Sequence, residues 1–469
     1  MPDAKNDLKT KLREKFIELS SSSSLHGYPN MFKTNHWPVR LMWLLFFLAS
    51  ATLCVFMVYR SVNDFLSFDV VNKIRDYSEI PMAYPAITFC NVNPFINKNS
   101  DELILKYVPD AFNVSYLNTN YDANSTSYDN ATFLNASENI DYNWDILVRA
   151  QLQAMNKAMD PDYGDENRKK LWYPLDQILI DCVYNGKNCN ESDFSWHYMY
   201  DFGSCYQFNT GKDLSGNSLP IKKSYISGDK SGLYLELYAG GDGESIYSLQ
   251  PDSGMVVFIH NQSSKPVVSE GIRLKQNSLI NIIMKKVFTQ REPDPYSDCQ
   301  DLNDFKFNKT LYNAIIESGS SFKQKLCFDL CLQQVIIKKC GCYDLKYLKI
   351  LSVGSCLNLT QLECANTEYL SFVESDIDSL CSEYCPLECD SQYFEYKIST
   401  NYFPTGSYTN ILSLNPAVAA HLDTYEDLGK NILALNIYYD NLQYSLLSEA
   451  QKTSIFDIIA IIGGIFTVN

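Results

Sequence analysis

Residues Leu41–Tyr59, LMWLLFFLASATLCVFMVY, form a run of 19 residues without a charged side chain. Coiled as a helix, such a run crosses the ~30 Å hydrocarbon slab of a bilayer. A secretory leader has a shorter apolar stretch, roughly 7–15 residues, near the N-terminus. Here forty residues come first. A core helix of a soluble protein is the other reading, but such helices keep polar positions along one face. The run therefore reads as a membrane span, with the lipid bilayer as its solvent.

The flanks orient it. Residues 1–40 carry seven Lys/Arg (Lys5, Lys9, Lys11, Arg13, Lys15, Lys33, Arg40) against four acids. Positive charge stays on the cytosolic side. Residues 1–40 thus read as cytosolic and everything after Tyr59 as extracellular. Eight Asn-x-Ser/Thr sequons agree, all beyond the span: Asn113, Asn124, Asn130, Asn135, Asn190, Asn261, Asn308 and Asn358,. The net charge is −16, and the +3 of the first forty residues leaves −19 for the rest. That sign excludes nucleic acid as a partner and concentrates cations near the outer surface.

Of 15 cysteines, Cys54 lies in the run and fourteen follow it, an even number in an oxidising space,. Cys340-x-Cys342 and Cys381-x3-Cys385 could pass for metal-ligand pairs, but zinc sites outside reducing compartments recruit histidine. Only His197, His260 and His421 lie beyond the span. The cysteines read as disulfides; no metal and no cofactor is expected. Ser320–Ser321 can cap a helix carrying Cys327 and Cys331 on one face, and Cys381 and Cys385 share a face in a second helical stretch,. Two such helices running antiparallel favour Cys331–Cys381 and Cys327–Cys385 as rungs. Nesting adds Cys299–Cys389 outside, with Cys340–Cys364 and Cys342–Cys356 at the tip. Spacing alone leaves other connectivities open.

Residues 113–139, rich in Asn, Ser and Thr, read as an exposed glycosylated loop,. Alternation at Leu233–Leu237 and apolar runs at Met255–His260 and Ser278–Phe288 read as strands, and Asn431–Tyr444 alternates toward the chain end,. Thr453–Asn469 is apolar apart from Asp457, but at 17 residues it falls short of the ~20 a span needs,. It reads as the start of a second, interrupted span.

Several motifs together resemble the epithelial sodium channel/degenerin/acid-sensing ion channel family. Tyr84-Pro-Ala-Ile-Thr-Phe-Cys90-Asn91 resembles its post-span FPAVTxCN motif. His26-Gly27 stands where the family keeps a cytosolic His-Gly pair, and Gly203-Ser-Cys205-Tyr-Gln-Phe-Asn209-Thr-Gly211 is similar to its G-x-C-Y-x-F-N-x-G segment. The order of the fourteen cysteines fits, and Ile462-Gly463-Gly464 matches the entry of the second span. The resemblance adds Cys90–Cys205 and Cys182–Cys189 and implies the same five rungs.

What it implies is an α+β membrane protein: a two-span channel subunit with a large disulfide-rich extracellular domain, its second span truncated here. The expected organisation is 1–40 cytosolic, 41–59 first span and 60–452 extracellular. Within the last, 95–200 form a glycosylated finger-like region and 299–389 the helical arm. Residues 453–469 begin the second span. Such subunits form trimeric, sodium-selective, amiloride-blocked plasma-membrane channels, as homo- or heterotrimers with sister subunits. The resemblance places gating roles at His26, Gly27, Phe68, Pro295, Tyr296 and Ala460, and the pore entry at Gly463 and Gly464. Ile461 replaces an expected pore-mouth Asp, and Asp457, one turn earlier on the same helix face, can stand in,. The family's Gly-x-Ser filter is expected within a few residues of Asn469 and is absent there, so the sequence is read as cut rather than naturally short.

Acid-sensing relatives place arm carboxylates where this chain has Asn366 and Leu370; Glu368 lies off that pattern. The stimulus is therefore expected to be a peptide of cationic, amidated Arg-Phe type rather than protons. The alternatives are a non-conducting regulatory subunit or a single-span cysteine-rich receptor. An enzyme is not expected: neither a Gly-x-Ser-x-Gly elbow nor a His-Glu-x-x-His appears,.

Overall fold

Alternating apolar residues build most of what the computed structural model describes, namely residues 3–22, 28–34, 36–109, 130–240, 249–262, 264–300, 309–376, 380–382, 384–419 and 428–468. The chain divides into two units. One contains residues 1–73, 291–298 and 448–469; the other contains 74–290 and 299–447.

The second unit is built on two sheets. One runs Ile272–Leu274, Met255–His260, Ala86–Asn91, Gly203–Phe208, Phe194–Met199, antiparallel throughout. The other runs Asp390–Tyr402, Ser278–Gln290, Ile432–Gln451, Leu233–Tyr238, Leu179–Tyr184, Lys187–Asn188, and Val70–Ser78 also pairs with Ile432–Gln451. Period-2 alternation turns Leu233, Leu235, Leu237, Ile280, Ile282 and Met284 to one side,. There they share a core with Ile87, Phe89, Phe208 and Val257 of the other sheet. Burying each such side chain contributes ~1.5–3 kcal/mol. The strands expected at 233–237, 255–260 and 278–288 are present, and the one expected at 431–444 continues to Gln451.

The helical arm has its own core. Helices Gln324–Cys340 and Leu359–Glu374 enclose Leu330, Ile336, Leu362 and Phe372 together with the disulfide sulfurs. Gly341 ends the first helix at φ 71°, a left-handed cap that favours glycine,. The expected cap at Ser320–Ser321 is not used. The helix begins at Gln324, and the Glu388 carboxylate, 64 residues away, accepts the Gln324 N–H at 3.1 Å. The second expected helical stretch ends at Glu374, before Cys381; one further turn joins Cys381 to Cys385, whose N–H donates to the Cys381 carbonyl at 2.8 Å.

The loop expected over 113–139 is corrected in part. Residues 110–129 lie outside the described residues, but from Asn130 the backbone is helical as far as Met159. Leu147, Ala150, Ala154 and Ala158 repeat at helical spacing and bury against Phe95 and Ile104. That stripe anchors the helix, and its Asn-rich start follows.

Candidate functional site

The first unit holds the two most apolar helices. The uncharged run lies inside a longer helix, Trp37–Leu66, in which no residue is buried. Among the described residues it is the one helix long and apolar enough to cross a membrane. Apolar side chains this widely exposed need lipid or another chain around them,. A second apolar helix, Ile455–Val468, packs against it; at 14 residues it is shorter than a span,.

The first helix stops abruptly. Phe68 takes φ 50°, a left-handed conformation that a bulky residue adopts at a cost,. This turn aims its ring at Tyr296, edge-on with centroids 5.5 Å apart and planes at 88°. Phe65 flanks it at 5.9 Å. Pro295 belongs to the tight turn presenting Tyr296, whose N–H donates to the Pro293 carbonyl at 3.0 Å. The structure thus brings together Phe68, Pro295 and Tyr296.

Polar contacts that spacing did not reveal tie the same region. Lys452 donates its backbone N–H to the Asp69 carbonyl at 3.0 Å and its Nζ to the Asp69 carboxylate at 2.8 Å. That ammonium holds the Asp69 carboxyl below its ordinary range. The Glu292 N–H donates to a Glu449 carboxylate oxygen at 3.1 Å.

Asp457 sits at the start of Ile455–Val468, where its carboxylate accepts from the Ser454 N–H at 2.8 Å and the Ser454 hydroxyl at 2.7 Å. In return Ser454 Oγ accepts the Asp457 N–H at 3.2 Å. This is a capping box, legible in the sequence as Ser-x-x-Asp. Ala460 and Gly463 are exposed, and a Cβ at Gly463 would meet no described atom within 4 Å. Gly464 continues the helix. His26 and Gly27 lie outside the described residues.

The fourteen outer cysteines form seven disulfides. Cys90–Cys205 joins two neighbouring strands and Cys182–Cys189 closes a hairpin. The arm holds Cys299–Cys389, Cys327–Cys385, Cys331–Cys381, Cys340–Cys364 and Cys342–Cys356 as a nested ladder. Cys54 is unpaired.

The sequons differ in environment. Asn190 and Asn358 are exposed helix N-caps whose side-chain oxygens accept backbone N–H groups. Asn261 is half-buried, and its amide donates to Gln392 at 3.4 Å. Asn130 and Asn135 fall on the helix Asn130–Met159. Asn113, Asn124 and Asn308 lie outside the described residues. On the arm, Glu368 pairs with Lys339 at 2.9 Å, while Leu370 is exposed.

Residues 19–467 match the amiloride-sensitive sodium channel family. Among similar proteins, the human (Homo sapiens) bile acid-sensitive ion channel is 24% identical over 472 residues, covering 96% of this chain and 82% of its own. Acid-sensing ion channel 1 of Gallus gallus is 21% identical over 464 residues, covering 95% of this chain and 79% of its own. The FMRFamide-activated amiloride-sensitive sodium channel of Cornu aspersum is 23% identical over 337 residues, 69% of this chain and 47% of that one. With a match that runs from the N-terminal helix into the last one, the chain belongs to the amiloride-sensitive sodium channel family.

Proposed function

We propose that this chain is one subunit of a trimeric, sodium-selective, amiloride-blocked cation channel of the plasma membrane, opened by an extracellular ligand. The observation that carries the reading is the bare apolar helix Trp37–Leu66. A single helix encloses no pathway, so a pore requires several subunits. In this reading residues 1–40 are cytosolic, 60–452 extracellular, and 453–469 enter the membrane a second time. Asp457, Gly463 and Gly464 mark the pore entry and Ala460 the small position facing a neighbour. The open surroundings of Gly463 support this, since nothing described in its own chain requires a glycine there.

Phe68 and the Pro295–Tyr296 turn couple the ligand-binding region to the spans. His26 and Gly27 set open probability from the cytosol. A small cationic peptide suits the −19 outer surface,, and the FMRFamide-activated relative supports that class of ligand. The test is current from the full-length coding sequence, expressed alone and with sister subunits. Sodium current blocked by amiloride and evoked by peptide, with little response to a step from pH 7.4 to pH ~5, is expected. A chain that reaches the surface without current in any combination is a regulatory subunit or receptor instead.

A further inference from the structure

Distant in sequence from the spans, the second unit contains a cavity of about 610 Å³, within the ~300–1,000 Å³ typical of small-molecule sites. Its wall comes from the arm helix (Leu326, Phe328, Leu330), the segment that follows it (Leu345, Leu348) and Val267. Most of that wall is apolar.

Two charged groups interrupt it. Lys265 is half-buried and has neither an ion pair nor a hydrogen bond among the described residues. Burial lowers the pKa of its ammonium. Asp329, on the arm helix, also has neither an ion pair nor a hydrogen bond among the described residues. Burial pushes its carboxyl up to about 6, with Lys346 pulling down and Asp201 pushing up. The remaining charges of the wall are already matched. Lys346 pairs with Asp201 at 3.5 Å, and Lys325 with Glu270 at 3.8 Å. His197, also in the wall and under the influence of Lys265, is held down at about 4 by burial, so it is neutral at pH 7.

A lone positive and a lone negative group thus line one apolar cavity without pairing with each other. Each gives up part of its hydration without a hydrogen bond in return among the described residues, and for Asp329 the attraction of Lys346 offsets only part of that loss,. A ligand with a single charge would compensate one and leave the other. We propose that the cavity is a binding site for a small zwitterion, a molecule with an ammonium and a carboxylate at opposite ends of an apolar body. A dipeptide with free ends is the simplest example, reaching at most ~7 Å along its backbone. Its carboxylate meets Lys265, its ammonium meets Asp329, and its side chains lie against Val267, Leu330 and Leu345. This concerns binding alone and stands whether or not the chain conducts.

The test uses the full-length chain in lipid nanodiscs, titrated by calorimetry with three probes: leucyl-leucine, N-acetyl-leucyl-leucine and leucyl-leucinamide. Leucyl-leucine is expected to bind saturably and at least tenfold tighter than either blocked form. Asp329→Asn lowers leucyl-leucine to the level of the acetylated probe and leaves the acetylated probe unchanged. Lys265→Met erases the preference over the amide in the same way, and Lys265→Arg retains it. The unchanged weak binding of one probe in each variant shows that the cavity is still formed. Absent saturable binding of leucyl-leucine, equal affinity for all three probes, or an equal loss for all three in Asp329→Asn would overturn the proposal.

Discussion

The helical arm and the membrane junction are held by different kinds of bond. Five disulfides fall within residues 299–389, closing loops from 14 to 90 residues long around a small core. The junction relies on the Phe68–Tyr296 ring pair, the Lys452–Asp69 ion pair and the Ser454–Asp457 cap. The only cysteine in its unit, Cys54, has no partner. A disulfide typically contributes ~2–4 kcal/mol, whereas an aromatic pair adds ~0.5–1.5 kcal/mol beyond area burial. Covalent closure thus holds the first region, and contacts each worth little more than RT hold the second.

The sharpest way to break this contrast is to cut a rung. Replacing Cys327 and Cys385 together by serine removes a 58-residue closure and is expected to cost ~2–5 kcal/mol. Thermal unfolding and surface delivery both report it. A double variant that melts with the wild type would show that the arm is not stiffened by its ladder.

A second effect belongs to Asp329 and depends on pH. Its folded carboxyl titrates at about 6, above its unfolded value. The stability contributed by its proton is therefore complete below pH ~4 and lost as pH rises through 6. Asp329→Asn is expected to raise stability at pH 7.4 by roughly 1–2 kcal/mol and to leave it unchanged near pH 4. Melting curves at the two pH values decide it; an equal shift at both would point to packing instead.

At the junction, Tyr296→Ala should leave folding intact but weaken the coupling of stimulus to opening by about 1 kcal/mol. In a double-mutant cycle with Phe68→Ala, the coupling energy should be non-zero; purely additive effects on gating would exclude direct contact. The smallest effect is expected from Lys452→Met. The pair it breaks is exposed, so stability changes little, and any shift in gating disappears at high salt. A shift that persists there would mean the pair acts in a shielded state of the channel.

Much of this contrast could be read from residues in order. Leu233–Leu237 alternates plainly, and the cysteine spacings arrange themselves into a nest. The resemblance then supplied Cys90–Cys205 and Cys182–Cys189, and it placed Phe68 opposite Tyr296. Features fixed by distant packing stayed hidden. Spacing suggested Ser320–Ser321 as a cap, but Glu388 provides the acceptor from across the fold. The acid-sensing pattern points to carboxylates just after Cys364, where the structure pairs Glu368 with Lys339. One carboxyl that burial does perturb is Asp329, on the other arm helix. Burial of a single aspartate leaves no periodic trace in sequence. The helix at Asn130–Met159 was masked by its polar first turns, although its Leu147–Ala158 stripe was visible.

The left-handed backbone of Phe68 has an energetic consequence of its own. For a residue with a Cβ that conformation costs ~1–2 kcal/mol relative to continuing the right-handed helix. The ring contact it permits with Tyr296 returns ~0.5–1.5 kcal/mol. The two quantities are of the same order, so the ring contact offsets much of the backbone cost of the turn. Removing the Tyr296 ring therefore leaves the left-handed turn at Phe68 without its compensation, whereas a glycine at position 68 would hold the same turn without needing the ring,.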